Sequence, residues 1–118
     1  MKSGPQADAL LLAHMRECIA RIAAYTGGDR DRFESSPLVQ DAVLRKLQTL
    51  TESSQRLSDA IKATERQVRW IALAGFRNVV VHAYLSIDLA AVWSVVEKDL
   101  PELQSALERM AARLDQLP

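Results

Sequence analysis

A single cysteine, Cys18, leaves the chain unable to close an internal disulfide, so the fold must be held by packing and a reducing compartment is expected. Aromatics are only 5% of the residues, and glycine and proline number four each, a composition that favours helices over a turn-rich β-sandwich. No apolar run approaches the length that crosses a bilayer, and Leu10-Leu11-Leu12-Ala13 is too short for a signal-peptide core. A cytoplasmic protein without a membrane partner is expected. Charge of one sign is missing as well: fifteen basic residues cancel fifteen acidic ones, and the whole molecule exerts no net pull on a polyanion. The carboxylates show no metal-ligand spacing and His14 is remote from the other histidine, so no metal and no other cofactor is expected.

What is present is apolar residues at helical intervals. With 48% hydrophobic residues in 118, the chain can bury a core as one domain over residues 1–118. From Gln6 to Tyr25, Leu11, Met15, Cys18, Ile22 and Tyr25 recur every three or four positions and predict a first helix, stopped by Gly27-Gly28. The charged run Asp29-Arg30-Asp31-Arg32 reads as a loop or short turn. Ser36-Pro37 is a start signal, Ser as cap and Pro at the first helical position. It opens a second helix to about Ile61, with Val43, Leu47, Leu50, Ser54, Leu57 and Ile61 on its buried stripe. After a break near Ala63 to Gln67, a third helix is expected from about Val68 to Ala83. Ser86 or Asp88 then caps a last run carrying Val92, Val96, Leu100, Leu103, Leu107, Met110 and Leu114, which Pro101 will kink or divide. The expected fold is all-α, an antiparallel bundle of four to five helices.

One stretch carries candidate chemistry: Arg77-Asn78-Val79-Val80-Val81-His82-Ala83-Tyr84. At about 100° per residue, Arg77 and Tyr84 share one helix face, while Asn78 and His82 share another with Gly75 and Ile71. Arg77 and His82 stand about 140° apart around the axis. They can meet if the helix ends near His82, if Arg77 curls round on its long stem, or if a second copy supplies the partner group. Gly75 favours the last, because a residue without a side chain lets another backbone approach, and symmetric pairing is the commonest assembly mode. A homodimer with two arginines and two histidines around one cleft is expected. Between Arg56 and Arg77 five basic residues (Arg56, Lys62, Arg66, Arg69, Arg77) stand against Asp59 and Glu65, a surplus that suits either a phosphate-facing patch or an ordinary solvated face.

The string Arg-X4-His-X-Tyr resembles the signature of HepT-type toxins, small helical ribonucleases of the HEPN superfamily. The resemblance extends to the run Trp70 through Asn78, to Ile87-Asp88 and Trp93, and to Gln40-Asp41-Ala42-Val43, covering roughly residues 33 to 110. Where the family has Ile-Gly-Glu-Ala this chain has Leu50-Thr51-Glu52-Ser53, and Ala83 replaces a residue that is often acidic. The resemblance implies a HEPN-like homodimer that cuts RNA without metal, as the toxin of a type VII-like toxin–antitoxin module. An RNA strand carries its own nucleophile, the 2′-hydroxyl. His82 would take its proton near neutral pH, and Arg77 would steady the phosphorane with its planar fork. Asn78 would orient His82 or bind the phosphate, and Glu52 would be a cleft acid. Tyr84 would be where a partner nucleotidyltransferase of the MNT type, the antitoxin, attaches AMP and silences the toxin.

Each of these residues also has a plain structural reading. A histidine near a helix C-terminus meets the negative end of the helix dipole. Glu52 can be a surface charge, Tyr84 a ring packed at a helix end with its hydroxyl wet, and Trp70 and Trp93 core or interface residues. Two other functions fit the helices: a non-catalytic adaptor that docks a nucleotidyltransferase or presents a nucleotide to it, and a plain dimerisation bundle. The intact Arg77/His82 pair, which an adaptor has no need to keep, favours the nuclease.

Overall fold

The computed structural model describes residues 4–71, 73 and 88–117, and all regular structure among them is helical. Helix α1, Pro5–Thr26, begins with proline at its first turn and ends at Gly27, whose backbone takes the left-handed conformation (φ 61°) and whose N–H returns to the Ala23 carbonyl. Only glycine adopts that conformation without steric cost. The buried face of α1 differs from the expected stripe by one position: Leu12 and Ile19 are buried beside Met15, Cys18 and Ile22, whereas Leu11 and Tyr25 are half-buried. The reason is that α1 is covered on two sides, by α3 and by α6 (both described below), so its apolar arc is wider than a single seam.

The charged run after Gly28 is not a loop. Asp29 accepts the N–H groups of Asp31 and Arg32 and caps a six-residue helix, α2, Arg30–Ser35. Its one buried residue, Phe33, lies 5.6 Å from the Trp93 ring, and the Gln40 amide donates back to the Phe33 and Glu34 carbonyls at 3.0 and 3.1 Å. Ser36 then caps α3, Pro37–Arg56, by accepting the Val39 N–H at 3.2 Å, as its Ser-Pro signal predicts.

The second helix does not run on to Ile61. It breaks at Leu57 and Ser58, both extended in ψ, because the Ser58 N–H is claimed by the buried carboxylate of Asp8 at 2.9 Å. The other Asp8 oxygen accepts the Ser58 hydroxyl at 2.6 Å, and that hydroxyl oxygen accepts the Ile61 N–H, capping the short α4, Asp59–Lys62. Asp8 meeting Ser58 and Cys18 meeting Thr49 (3.4 Å) set α1 and α3 antiparallel. A single 3₁₀ turn, Ala63–Glu65, follows, and helical structure resumes at Trp70, later than the Val68 expected.

The last run is one helical rod with a widened turn rather than two pieces. Asp88 caps α5, Leu89–Ser94; a π turn spans Val95–Asp99; and α6, Leu100–Asp115, completes it. Pro101 has no N–H and its ring would clash with the carbonyl four residues earlier. The π turn, with the Leu100 N–H donated to the Val95 carbonyl, makes room for the ring. It also moves the buried stripe: Val92 and Val95 are followed by Leu100, Leu103 and Leu107, so Val95 rather than the expected Val96 is buried. These helices close over one core of Leu12, Met15, Leu47, Leu50, Trp93 and Leu107. Ser86 lies outside the described residues.

Truncating Asp8 to Ala strips two donors of Ser58 of their partner inside the fold. Urea denaturation is expected to show a loss of about 1–3 kcal/mol, against about 0.5 kcal/mol or less for Leu38→Ala on the exposed side of α3.

Candidate functional site

Arg77, Asn78, His82 and Tyr84 lie outside the described residues, and Gly75 with them. What the structure describes is the segment of chain that precedes that stretch. Of the expected site residues, Glu52 is the one described, and it is exposed on α3 while its neighbours Thr51 and Ser53 are buried. His14 and Cys18 lie one turn apart on α1 with the sulfur 3.6 Å from the ring nitrogen; Cys18 is buried and its sulfur also meets the Thr49 hydroxyl.

The approach is organised by Glu65, which composition counts only as an acid in the charge tally. Its side chain is 2% exposed. Arg109 of α6 grips it with both arms of its fork, Nη2 donating to Oε1 at 2.7 Å and Nε to Oε2 at 3.1 Å. Arg113, one turn further along α6, donates to Oε2 and also to the Thr64 hydroxyl at 3.2 Å, and the Gln67 amide donates to Oε1. The Glu65 backbone is used as well. Its carbonyl accepts the Val68 N–H at 3.1 Å and the Trp70 indole N–H at 3.2 Å. Three residues past that tryptophan, Leu73 is buried and donates its N–H to the Arg69 carbonyl at 2.9 Å, closing a helical turn.

The charge-assisted bonds from Arg109 hold the Glu65 carboxyl well below its ordinary range, at about 2, against the opposing effect of burial; Arg113 and Gln67 act in the same direction. The surplus of basic charge therefore takes a different form from that read off the sequence. Asp59 is exposed and offsets it at the surface, whereas Glu65 is buried and neutralised by arginines from another helix. Arg56, Arg66 and Arg69 stay exposed. No local signal links Glu65 to Arg109, 44 residues away; the hint available was the i, i+4 pair Arg109 and Arg113 on one face of an amphipathic helix.

Beside this clamp a cavity of about 600 Å³ is lined by Gln67, Arg69, Leu73, Asp99, Glu102 and Arg109. Among the described residues no group of three His, Cys, Asp or Glu could hold a metal ion, and no helix is long and apolar enough to cross a membrane.

Comparison with known proteins places these observations. The family model described as "Ribonuclease HepT-like" matches residues 15–110. A Methanocaldococcus jannaschii protein described as a gamma-glutamylcyclotransferase and candidate RNase is 30% identical over 107 residues, 90% of this chain and 48% of that protein. A second protein of that organism, described as a candidate RNase, is 28% identical over 68% of this chain and 73% of its own length. A Thermococcus cleftensis protein described as a probable ribonuclease HepT is 30% identical over 60% of this chain and 64% of its own length. The chain thus spans about half the length of the first of these relatives. No solved structure matches it.

A carboxyl held near 2 when folded and at 4.5 otherwise contributes stability that is fully present above pH 4.5 and lost as pH falls towards 2. The linked loss is about 3 kcal/mol. Unfolding free energies measured by urea between pH 6 and 2.5 are expected to fall more steeply for the wild type than for Glu65→Gln, which starts lower and has no carboxyl there to protonate.

Proposed function

The chain belongs to the HepT-like ribonuclease family, and from that premise we propose that it is a metal-independent HEPN endoribonuclease acting as the toxin of a type VII-like toxin–antitoxin module. The observation that carries the reading is the string Arg77-X4-His82-X-Tyr84 inside the matched region, together with relatives described as ribonucleases. His82 accepts the proton of a 2′-hydroxyl, the freed oxygen attacks the adjacent phosphorus, and Arg77 binds the equatorial oxygens as charge builds on the phosphorane. The P–O5′ bond then breaks and the departing oxygen takes up a proton. The products are a 2′,3′-cyclic phosphate and a 5′-hydroxyl. Asn78, one turn before His82, orients the imidazole. Glu52, exposed on α3, is an acid available to the cleft.

The site is composite, built by two copies of the chain. Ile71 supports this: it is 90% exposed in the single chain and lies, by helical spacing, at the head of the face that carries Gly75, Asn78 and His82. A large apolar side chain left in water there is accounted for by a second copy that covers it.

Tyr84 shares the Arg77 face by the same spacing. Transfer of AMP from ATP to its hydroxyl by an MNT-type nucleotidyltransferase, with release of pyrophosphate, places a phosphodiester beside the guanidinium. The added charge occupies the cation and excludes RNA. The alternative function, an adaptor for that transferase, predicts the same modification without cleavage.

Induced expression separates the two functions. Growth arrest is expected with the wild type and neither Arg77→Ala nor His82→Ala, with loss of RNA cleavage of about 10²-fold or more; three identical growth curves favour the adaptor. After incubation with ATP and the cognate transferase, intact-mass analysis is expected to show one AMP gained by the wild type and none by Tyr84→Phe. A gain that persists in Tyr84→Phe contradicts this role for the tyrosine.

A further inference from the structure

One two-armed arginine neutralises a buried carboxylate, and the Glu65 cluster holds more cation than that. Arg109 uses its Nε–H and one Nη2–H on the carboxylate, and Arg113 uses its Nη1 group on the carboxylate and on the Thr64 hydroxyl. A guanidinium carries five N–H groups; with two used, each arginine keeps three that meet no acceptor among the described residues. The two arginine side chains are 49% and 43% exposed and the carboxylate is 2% exposed, so the negative charge is buried and the positive charge faces water. Arg66 follows Glu65 directly, and Arg69 lines the same cavity as Arg109 and Gln67. Both are exposed, and neither forms an ion pair among the described residues. Two guanidinium charges on one carboxylate leave one over, and Arg66 and Arg69 raise the surplus to three. We propose that Arg66, Arg69, Arg109 and Arg113 form a phosphate-binding band that holds the backbone of single-stranded RNA. The choice of RNA as the polyanion rests on the ribonuclease reading; the band itself rests on the ion cluster.

What separates this cluster from an ordinary solvated face is that two of its arginines are already held. A mobile surface arginine gives up about 2 kcal/mol of rotamer freedom when it grips a ligand. Arg109 and Arg113 give up much of theirs on folding, because Glu65 fixes both guanidinium planes. Their planar forks match phosphate oxygens. Tethering the connection to α6 does not itself call for ions, since apolar side chains of similar volume commonly replace a buried ion cluster at no loss of stability. Acids mark where the band ends. Asp99 and Glu102 line the cavity with Arg69 and Arg109, but Glu102 precedes Arg109 by seven residues along α6. That is about 10 Å of helix, close to the Debye length at physiological salt. Arg113 lies one turn further from both acids. Asp59 and Lys62 share the single turn of α4 and cancel. The strongest end of the band is therefore that of Arg113 and Arg66.

The test is binding of the whole chain to a short single-stranded 2′-O-methyl oligoribonucleotide, followed by fluorescence anisotropy across a salt series. This probe keeps every phosphate and lacks the 2′-hydroxyl that cleavage would use. Each phosphate contact on a single strand contributes about 0.7 to the slope of log affinity against log salt. Arg66→Ala combined with Arg69→Ala, at two exposed positions, is expected to lower that slope by about 1.4. It is also expected to weaken binding to oligonucleotides of unlike sequence equally. Arg113→Ala, which leaves the Arg109 fork in place, is expected to lower the slope by about 0.7. Arg16→Ala combined with Arg32→Ala removes the same charge from exposed positions on α1 and α2 and is expected to leave the slope unchanged. With cleavable RNA, the Arg66/Arg69 double variant is expected to raise KM with kcat within about twofold, the mark of binding shared by ground and transition states. A double variant with the wild-type slope, a control pair that loses as much, or a wild type that binds no RNA overturns the proposal. A wild type that cuts RNA beside a double variant with unchanged slope keeps the ribonuclease reading. A wild type that binds through these arginines yet cuts no RNA overturns that reading and leaves the band standing.

Discussion

A carboxylate taken almost entirely out of water is tolerable only if charged donors replace the water, and Glu65 has three donor side chains around it. This requirement fixes the relative position of two segments that share little apolar contact. The α4–3₁₀ connection is short and polar, and α6 packs its apolar face elsewhere, against α1. Beside the ion cluster, the connection is held by the apolar side chains of Leu57, Ile61, Val68 and Trp70 and by the Asp8–Ser58 bonds. Buried ion clusters of this kind add specificity of arrangement more surely than net stability, because breaking one leaves an uncompensated charge whereas a hydrophobic contact can slide.

Asp8 plays the corresponding part at the other end. It turns a break in the chain, at Leu57 and Ser58, into a capped start for α4. Two acids thus define where α3 stops and where helical structure resumes at Trp70. The remaining turn of the story is Pro101: the π turn that accommodates its ring brings Val95 and Leu100 onto the same buried face, so that α5 and α6 act as one rod carrying Trp93 near one end and the arginine pair near the other.

Local signals in the sequence predicted local structure well. Gly27 as a left-handed stop, Ser36-Pro37 as a start and Asp88 as a cap each act within four residues, and each is where periodicity and capping chemistry put it. What eluded the sequence was decided by partners distant along the chain. The end of α3 moved from Ile61 to Arg56 because Asp8, 50 residues earlier, competes for the Ser58 N–H. Asp29 falls in a charged run that reads as a loop or short turn, yet it is the cap of α2, a case in which charge density hides a helix start. Glu65 looked like one more surface acid, since nothing near it announces Arg109. For the candidate site the position is reversed. Its residue string is conspicuous in the sequence and matches a known pattern, while Arg77, Asn78, His82 and Tyr84 lie outside the described residues, so their roles stand on that string and on the family match.

The central claim is that a guanidinium from one copy and an imidazole from the other act on the same phosphodiester. Co-expressing Arg77→Ala and His82→Ala chains under different tags and isolating the mixed dimer tests it most directly, because that dimer retains one arginine and one histidine, on opposite subunits. The account predicts that the mixed dimer cuts RNA while each parent homodimer does not. A mixed dimer as inactive as its parents, beside an active wild type, would contradict it.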